Sequence, residues 1–70
     1  MTTRDVPIRG DSIRLGQFLK LADLIDTGAE ARPLMIAGLV TVNGATETRR
    51  GAQLAKGDVV TVGDQSVRVA

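Results

Sequence analysis

Seventy residues make one small domain, with a modest core and marginal stability of its own. The sequence contains neither cysteine nor histidine, which excludes disulfides, thiolate zinc sites and the commonest general base. Nine basic against eight acidic residues leave a net charge of +1, so bulk charge does not mark a nucleic-acid binder, although clustering can still build a local basic face.

Hydrophobic residues make up 43% of the chain, which fits a folded globule. No apolar run approaches the ~18 residues of a membrane helix, and "MTTRDVPIRG" lacks the apolar stretch of a signal peptide. A cytoplasmic protein without membrane contact is expected. Phe18 is the sole aromatic residue, so holding single strands by stacking bases on rings is excluded on any scale. No phosphate-binding glycine loop of the G-x-x-x-x-G-K-[ST] kind occurs.

Residues 1–12 read as a polar lead-in, because Pro7, Gly10, Asp11 and Ser12 break any regular pattern. A short extended piece around Ile13–Leu15 is compatible with the pattern. Leu15, Phe18, Leu19 and Ala22 then fall at i, i+3, i+4 and i+7, which predicts a first helix over about 15–22 with Lys20 outside the apolar stripe. Leu24 and Ile25 are expected to pack inward.

"TGAE" at 27–30 has the form of a capping box, in which the Thr27 hydroxyl and the Glu30 carboxylate each satisfy a backbone amide. Ala31, Leu34 and Met35 form the inward stripe of a second helix, and Gly38 is its left-handed stop. Pro33 conflicts with a helix that starts at Gly28, since it removes a bond to the Ala29 carbonyl. A helix bent at Pro33 is favoured; a start nearer Arg32 is the alternative.

After Gly38 the period changes to two. Leu39–Asn43 reads as a strand and Asn43-Gly44 as a hairpin turn. The register sets Val42 against Ala45, Thr41 against Thr46, Val40 against Glu47 and Leu39 against Thr48. Arg49 and Arg50 then fall beyond the pairing, beside Gly38 and the end of the second helix. Gly57-Asp58 turns into a strand at about 58–62, and Gly63-Asp64 joins it to a strand at about 65–69. Val60 falls opposite Val67, with Val62 and Val69 on the same face; Val59, Thr61, Ser66 and Arg68 take the other. The predicted class is α+β: two short packed helices followed by a small antiparallel sheet of about four strands.

The pieces "LGQFLK", "TGAEAR", "GLVTVNG" and "ETRRG", in that order with near-usual spacing, resemble the S-four (S4) RNA-binding domain, the module named after the fourth protein of the small ribosomal subunit. The match is strongest to its small stand-alone bacterial members and spans about 13–69, which places the domain at 13–70. The resemblance implies an RNA-docking surface shared by the two helices and the hairpin. Carried over residue by residue, it points to Lys20, Arg32, Asn43 in the turn, the pair Arg49-Arg50, and Lys56 before the Gly57-Asp58 turn. Pro33 departs from the family pattern, where helix-compatible residues are usual.

Each of these residues also has a plain structural explanation. Arginines at a strand end are ordinarily soluble surface, a lysine on a polar helix face ordinarily snorkels, and Arg32 has Asp26 and Glu30 as ion-pair partners within reach. Asn43 is explained first by the positive φ that the turn requires. Arg14 and Lys56 are rim positions; Arg4, Arg9 and Arg68 read as solubility. The acids Asp23, Asp26 and Glu47 lack any histidine or cysteine to work with, so no catalysis, cofactor or metal is expected. The expectation is a monomeric module docking structured RNA, ribosomal or transfer RNA, in the setting of the ribosome. The alternative is a protein–protein adaptor that uses the valine-rich sheet or the Met35 side.

Overall fold

The computed structural model describes residues 3–70. Its elements run β1 (Arg4–Val6), β2 (Ser12–Arg14), α1 (Leu15–Leu21), a 3₁₀ turn (Gly28–Glu30), α2 (Ala31–Ile36), β3 (Val40–Val42), β4 (Ala45–Thr46), β5 (Gln53–Ala55), β6 (Val59–Val62) and β7 (Gln65–Val69). The class is α+β as expected, but with seven short strands among the described residues in place of about four. Five form a sheet in the order β1-β7-β6-β3-β4, and β2 pairs with β5 in a separate ribbon. No helix of the described residues is long and apolar enough to cross a membrane.

Both predicted hairpins form in the predicted register. Thr41 pairs with Thr46 and Val42 with Ala45, and the Glu47 amide still reaches the Val40 carbonyl at 3.0 Å. The ladder ends there, so the expected pairing of Leu39 with Thr48 is absent. Asn43 and Gly44 both hold positive φ, 52° and 87°, as the turn matching the natural twist of a hairpin demands. Val60 pairs with Val67 and Thr61 with Ser66. One face of this hairpin is therefore core: Val60, Val67 and Val69 are buried against Leu15, Phe18 and Leu19 of α1, Met35 of α2 and Leu54 of β5. The opposite face is polar, with the Thr61 and Ser66 hydroxyls 3.0 Å apart. Of the two sides offered by the adaptor alternative, the valine face is thus the interior of the domain, and Met35 is buried with it.

The expected polar lead-in is corrected. Its first two residues lie outside the described ones, but Arg4–Val6 form β1, an edge strand parallel to β7, with Val6 opposite Val69. Val6 is only 8% exposed and belongs to the core. The Arg4 guanidinium donates to the Ala22 carbonyl, one of the acceptors that the end of α1 leaves open.

The helix ends follow backbone chemistry more than side-chain capping. Gly38 (φ 74°) stops α2 as predicted: its amide donates to Met35 and the Leu39 amide to Leu34, both at 3.0 Å, the paired bonds of a Schellman ending. Asp23 (φ 61°) ends α1 in the same way, through bonds from Asp23 to Lys20 and from Leu24 to Leu19. The capping box at 27–30 is not made. The Thr27 carbonyl, not its hydroxyl, takes the Glu30 amide, and the Glu30 carboxylate reaches the Asp26 amide at a long 3.4 Å. The favoured bend at Pro33 is also corrected. A 3₁₀ turn carries the chain to Ala31, so Pro33 is the third residue of α2. An amide there belongs to the first turn and has no helical acceptor, so proline costs no hydrogen bond.

Candidate functional site

Arg50 owes its place to the start of α1. The amides of Leu15 and Gly16 have no side-chain cap, since Arg14 occupies the cap position without a capping bond. Instead, Leu15 donates to the Ala52 carbonyl at 2.8 Å and Gly16 to the Arg50 carbonyl at 2.9 Å. The loop after β4 is thereby fastened across the first turn of α1. The loop packs closely on this turn: a Cβ at Gly16 would meet the Arg50 carbonyl oxygen at 3.5 Å and the Arg50 Cβ at 3.6 Å, ordinary contact that a small side chain would also satisfy.

Arg50 borders two adjoining clefts. The larger, about 590 Å³, is lined by Ala29, Arg32, Met35, Ile36, Thr48 and Arg50. The smaller, about 270 Å³, is lined by Arg14, Gly16, Gln17, Arg50 and Gly51. Two of the predicted cations, Arg32 and Arg50, therefore face one cleft, and Arg14 shares the next. Lys20 lines neither, but it is exposed and lies one turn along α1 from Gly16 and Gln17, on the same face. Among the described residues the ion pairs are Arg49–Glu47 and Arg68–Asp5; Arg32 is paired with neither Asp26 nor Glu30. Arg14, Lys20, Arg32 and Arg50 thus carry their charge on the surface without a carboxylate partner there.

Arg49 and Arg50, adjacent and identical, part ways. Arg49 folds back onto Glu47, with Nε donating to Oε2 at 3.2 Å and Nη2 to Oε1 at 3.4 Å. Glu47 Oε2 also accepts the Thr48 and Arg49 amides at 3.0 and 3.1 Å. The Arg49 side-chain bond, then its amide bond, holds the Glu47 carboxyl below its ordinary value, and the same pairing raises Arg49. Arg49 lines neither cleft. Arg50, bonded across the start of α1, also shares its cleft with Arg32, Met35 and Ile36 of α2, the side of the molecule expected for the pair.

Two predicted site residues lie elsewhere. The Asn43 side chain is engaged by the fold: Oδ1 accepts the Val59 amide at 2.9 Å, and Nδ2 donates to Asp58 at 3.1 Å. It pins the β3–β4 turn to the start of β6. Lys56 is exposed in the turn after β5, at the end of the β2–β5 ribbon opposite Arg14 and Gln53. The structure brings neither to the clefts. Ile36 and Thr48 are cleft residues that sequence reasoning missed. Ile36 had a readable signal, because it falls outside the inward stripe of Ala31, Leu34 and Met35 and four residues after Arg32. Its side chain is 74% exposed.

A family model, the S4 domain, matches residues 6–70. The chain belongs to the S4 domain family. Among relatives of this S4 domain, the probable ribosome maturation protein RlbA of Bacillus subtilis (strain 168) is 44% identical over 57 residues, 81% of this chain and 80% of that protein. The putative RNA-binding protein YbcJ of Escherichia coli (strain K12) is 35% identical over 57 residues, 81% of each. The solution structure of YbcJ from E. coli is described as revealing an alpha-L motif involved in RNA binding. It matches with a TM-score of 0.74 at 28% identity, over 100% of this chain and 90% of that one. The family resemblance and the α+β class read from the sequence are borne out.

Proposed function

We propose that this S4 domain docks structured RNA, ribosomal or transfer RNA, through the surface formed by Arg32, Arg50, Arg14 and Lys20, as a cytoplasmic monomer working with the ribosome. The observation that carries the reading is the pair of guanidiniums, Arg32 and Arg50, on one cleft without carboxylate partners among the described residues. Guanidinium forks suit phosphate oxygens, which they grip bidentately. The names of the relatives, one a ribosome maturation protein and one an RNA-binding protein, support the choice of RNA and of the ribosomal setting.

The mechanism is electrostatic positioning on phosphates and ribose, with the shape of the folded RNA read by the spacing of the cations. The role is binding, not catalysis. Arg49, held by Glu47, and Lys56, at the far end of the β2–β5 ribbon, stand outside the docking centre and contribute at its margin; Asn43 serves the turn. The adaptor reading is weaker because its valine face is core.

Fluorescence anisotropy with a labelled, fully paired RNA duplex at low ionic strength tests the reading. Arg32→Ala plus Arg50→Ala is expected to weaken binding at least about tenfold, roughly 1.4 kcal/mol. Unchanged affinity in a folded double variant would show the surface to be wrong.

A further inference from the structure

We infer that the larger cleft seats one unstacked nucleotide of the bound RNA, its base against Ile36 and its flanking phosphates on Arg32 and Arg50. The inference rests on the RNA-docking reading and goes beyond it: phosphate contact alone needs only the cations. The cleft has a second chemistry. Its lining includes Ala29, Met35 and Ile36, and Ile36 is a large aliphatic residue left 74% exposed in the same cleft as Arg32 and Arg50. Against a hydrated phosphate ribbon such a side chain would gain nothing, since burying apolar surface is favourable only when the partner surface is apolar too. The apolar surface that RNA offers is the face of a base, available only where a nucleotide leaves the stack, in a loop or bulge.

Size and polarity agree. About 590 Å³ lies within the roughly 300–1,000 Å³ of small-ligand clefts, room for a nucleotide but not for a duplex. Ile36 covers one base face, and Met35, buried in the core, backs the apolar part of the lining. Thr48 supplies a hydroxyl, donor and acceptor, to the base edge. Arg32 on α2 and Arg50 on the loop across α1 are carried by different elements and flank the cleft. The two phosphates on either side of an extruded nucleotide present that same divided arrangement, and each matches a guanidinium fork. Without aromatic rings in this cleft, the base rests on aliphatic carbon, so discrimination among bases is weak and the preference is for an unpaired nucleotide as such.

The test compares three labelled two-strand RNA duplexes, without loops, binding to the full chain at low ionic strength: a fully paired duplex, the same duplex with one unpaired adenosine, and that duplex with an abasic residue in the adenosine's place. The adenosine bulge is expected to bind about fivefold more tightly than the paired duplex, roughly 1 kcal/mol, and the abasic bulge to fall back to the paired duplex. Ile36→Ser, at an exposed position that leaves the core intact, is expected to abolish the difference while keeping paired-duplex affinity within about twofold. Equal binding of all three duplexes, or an Ile36→Ser variant that still prefers the bulge, overturns the nucleotide seat and leaves RNA docking standing. Failure of every duplex to bind overturns both.

Discussion

Val6→Ala tests whether the first strand belongs to the core or merely precedes it. Val6 is 8% exposed, lies opposite Val69 on β7, and sits between backbone bonds at Ala70: the Ala70 amide donates to Val6 at 2.9 Å and the Ile8 amide to Ala70 at 3.0 Å. Truncation to alanine removes two buried carbons. At about 0.8 kcal/mol per buried carbon the transfer loss is about 1.6 kcal/mol, and a small residual cavity brings the total to about 2 kcal/mol. A domain of this length has roughly 3.5–10 kcal/mol to lose from, taking about 0.05–0.15 kcal/mol per residue. The melting temperature of so small a domain moves by about 4–8 °C per kcal/mol, so a drop of about 8–16 °C is expected. Thermal unfolding followed by far-ultraviolet circular dichroism gives the value. Asp5→Ala is the control: it removes an ion pair with Arg68 at 3.4 Å in which both side chains are about half exposed, and should change stability by less than about 0.5 kcal/mol. A Val6→Ala protein melting within about 2 °C of the parent would refute the assignment of β1 to the core.

Asn43→Ala should remove the bonds to Val59 and Asp58 and force alanine into positive φ, costing about 1–3 kcal/mol by denaturant unfolding with RNA affinity unchanged while the protein stays folded. The Glu47 carboxyl should titrate below its ordinary value, because Arg49 hydrogen-bonds its charged form. The folded value lies below the unfolded one, so the contact is intact above the usual carboxylate range and lost as pH falls through the lowered value. A carboxyl-carbon NMR titration reads it, and Arg49→Ala should move the midpoint back up; an unmoved midpoint would contradict the pairing. Glu47→Gln, by freeing Arg49, should tighten RNA binding about two- to fivefold at low salt.

The sequence was legible where a period ran long enough. Leu15, Phe18, Leu19 and Ala22 announce α1 because four apolar residues at helical spacing leave no other common face. The β6–β7 hairpin is equally plain, since Gly63-Asp64 sets a register that puts Val60 on Val67. Three-residue strands carry no such period. β1 finds its partner more than sixty residues away and in parallel, and nothing local marks it. β5 is hidden in the same way, its pairing with β2 visible only after the chain has folded. The site shows the same division. Arg32, Arg50 and Arg14 were legible as candidates from residue type and family pattern. That Arg50 reaches the clefts while Arg49 does not is decided by a backbone carbonyl bound to Gly16 and by the reach of Glu47. Neither is encoded in the identity of an arginine. Asn43 illustrates the converse: a side chain that the resemblance points to is occupied on its amide oxygen by Val59 of β6 and on its amide nitrogen by Asp58 just before that strand.

The most direct test of the account is the salt dependence of RNA binding. Each phosphate contact contributes about 0.7–0.9 to the slope of log affinity against log salt concentration. Removing Arg32 and Arg50 together should therefore lower the slope by about 1.4–1.8 and weaken binding most at low salt, while the variant keeps the melting temperature of the parent. A double variant with the parent's slope and affinity would contradict the claim that these two guanidiniums hold the RNA.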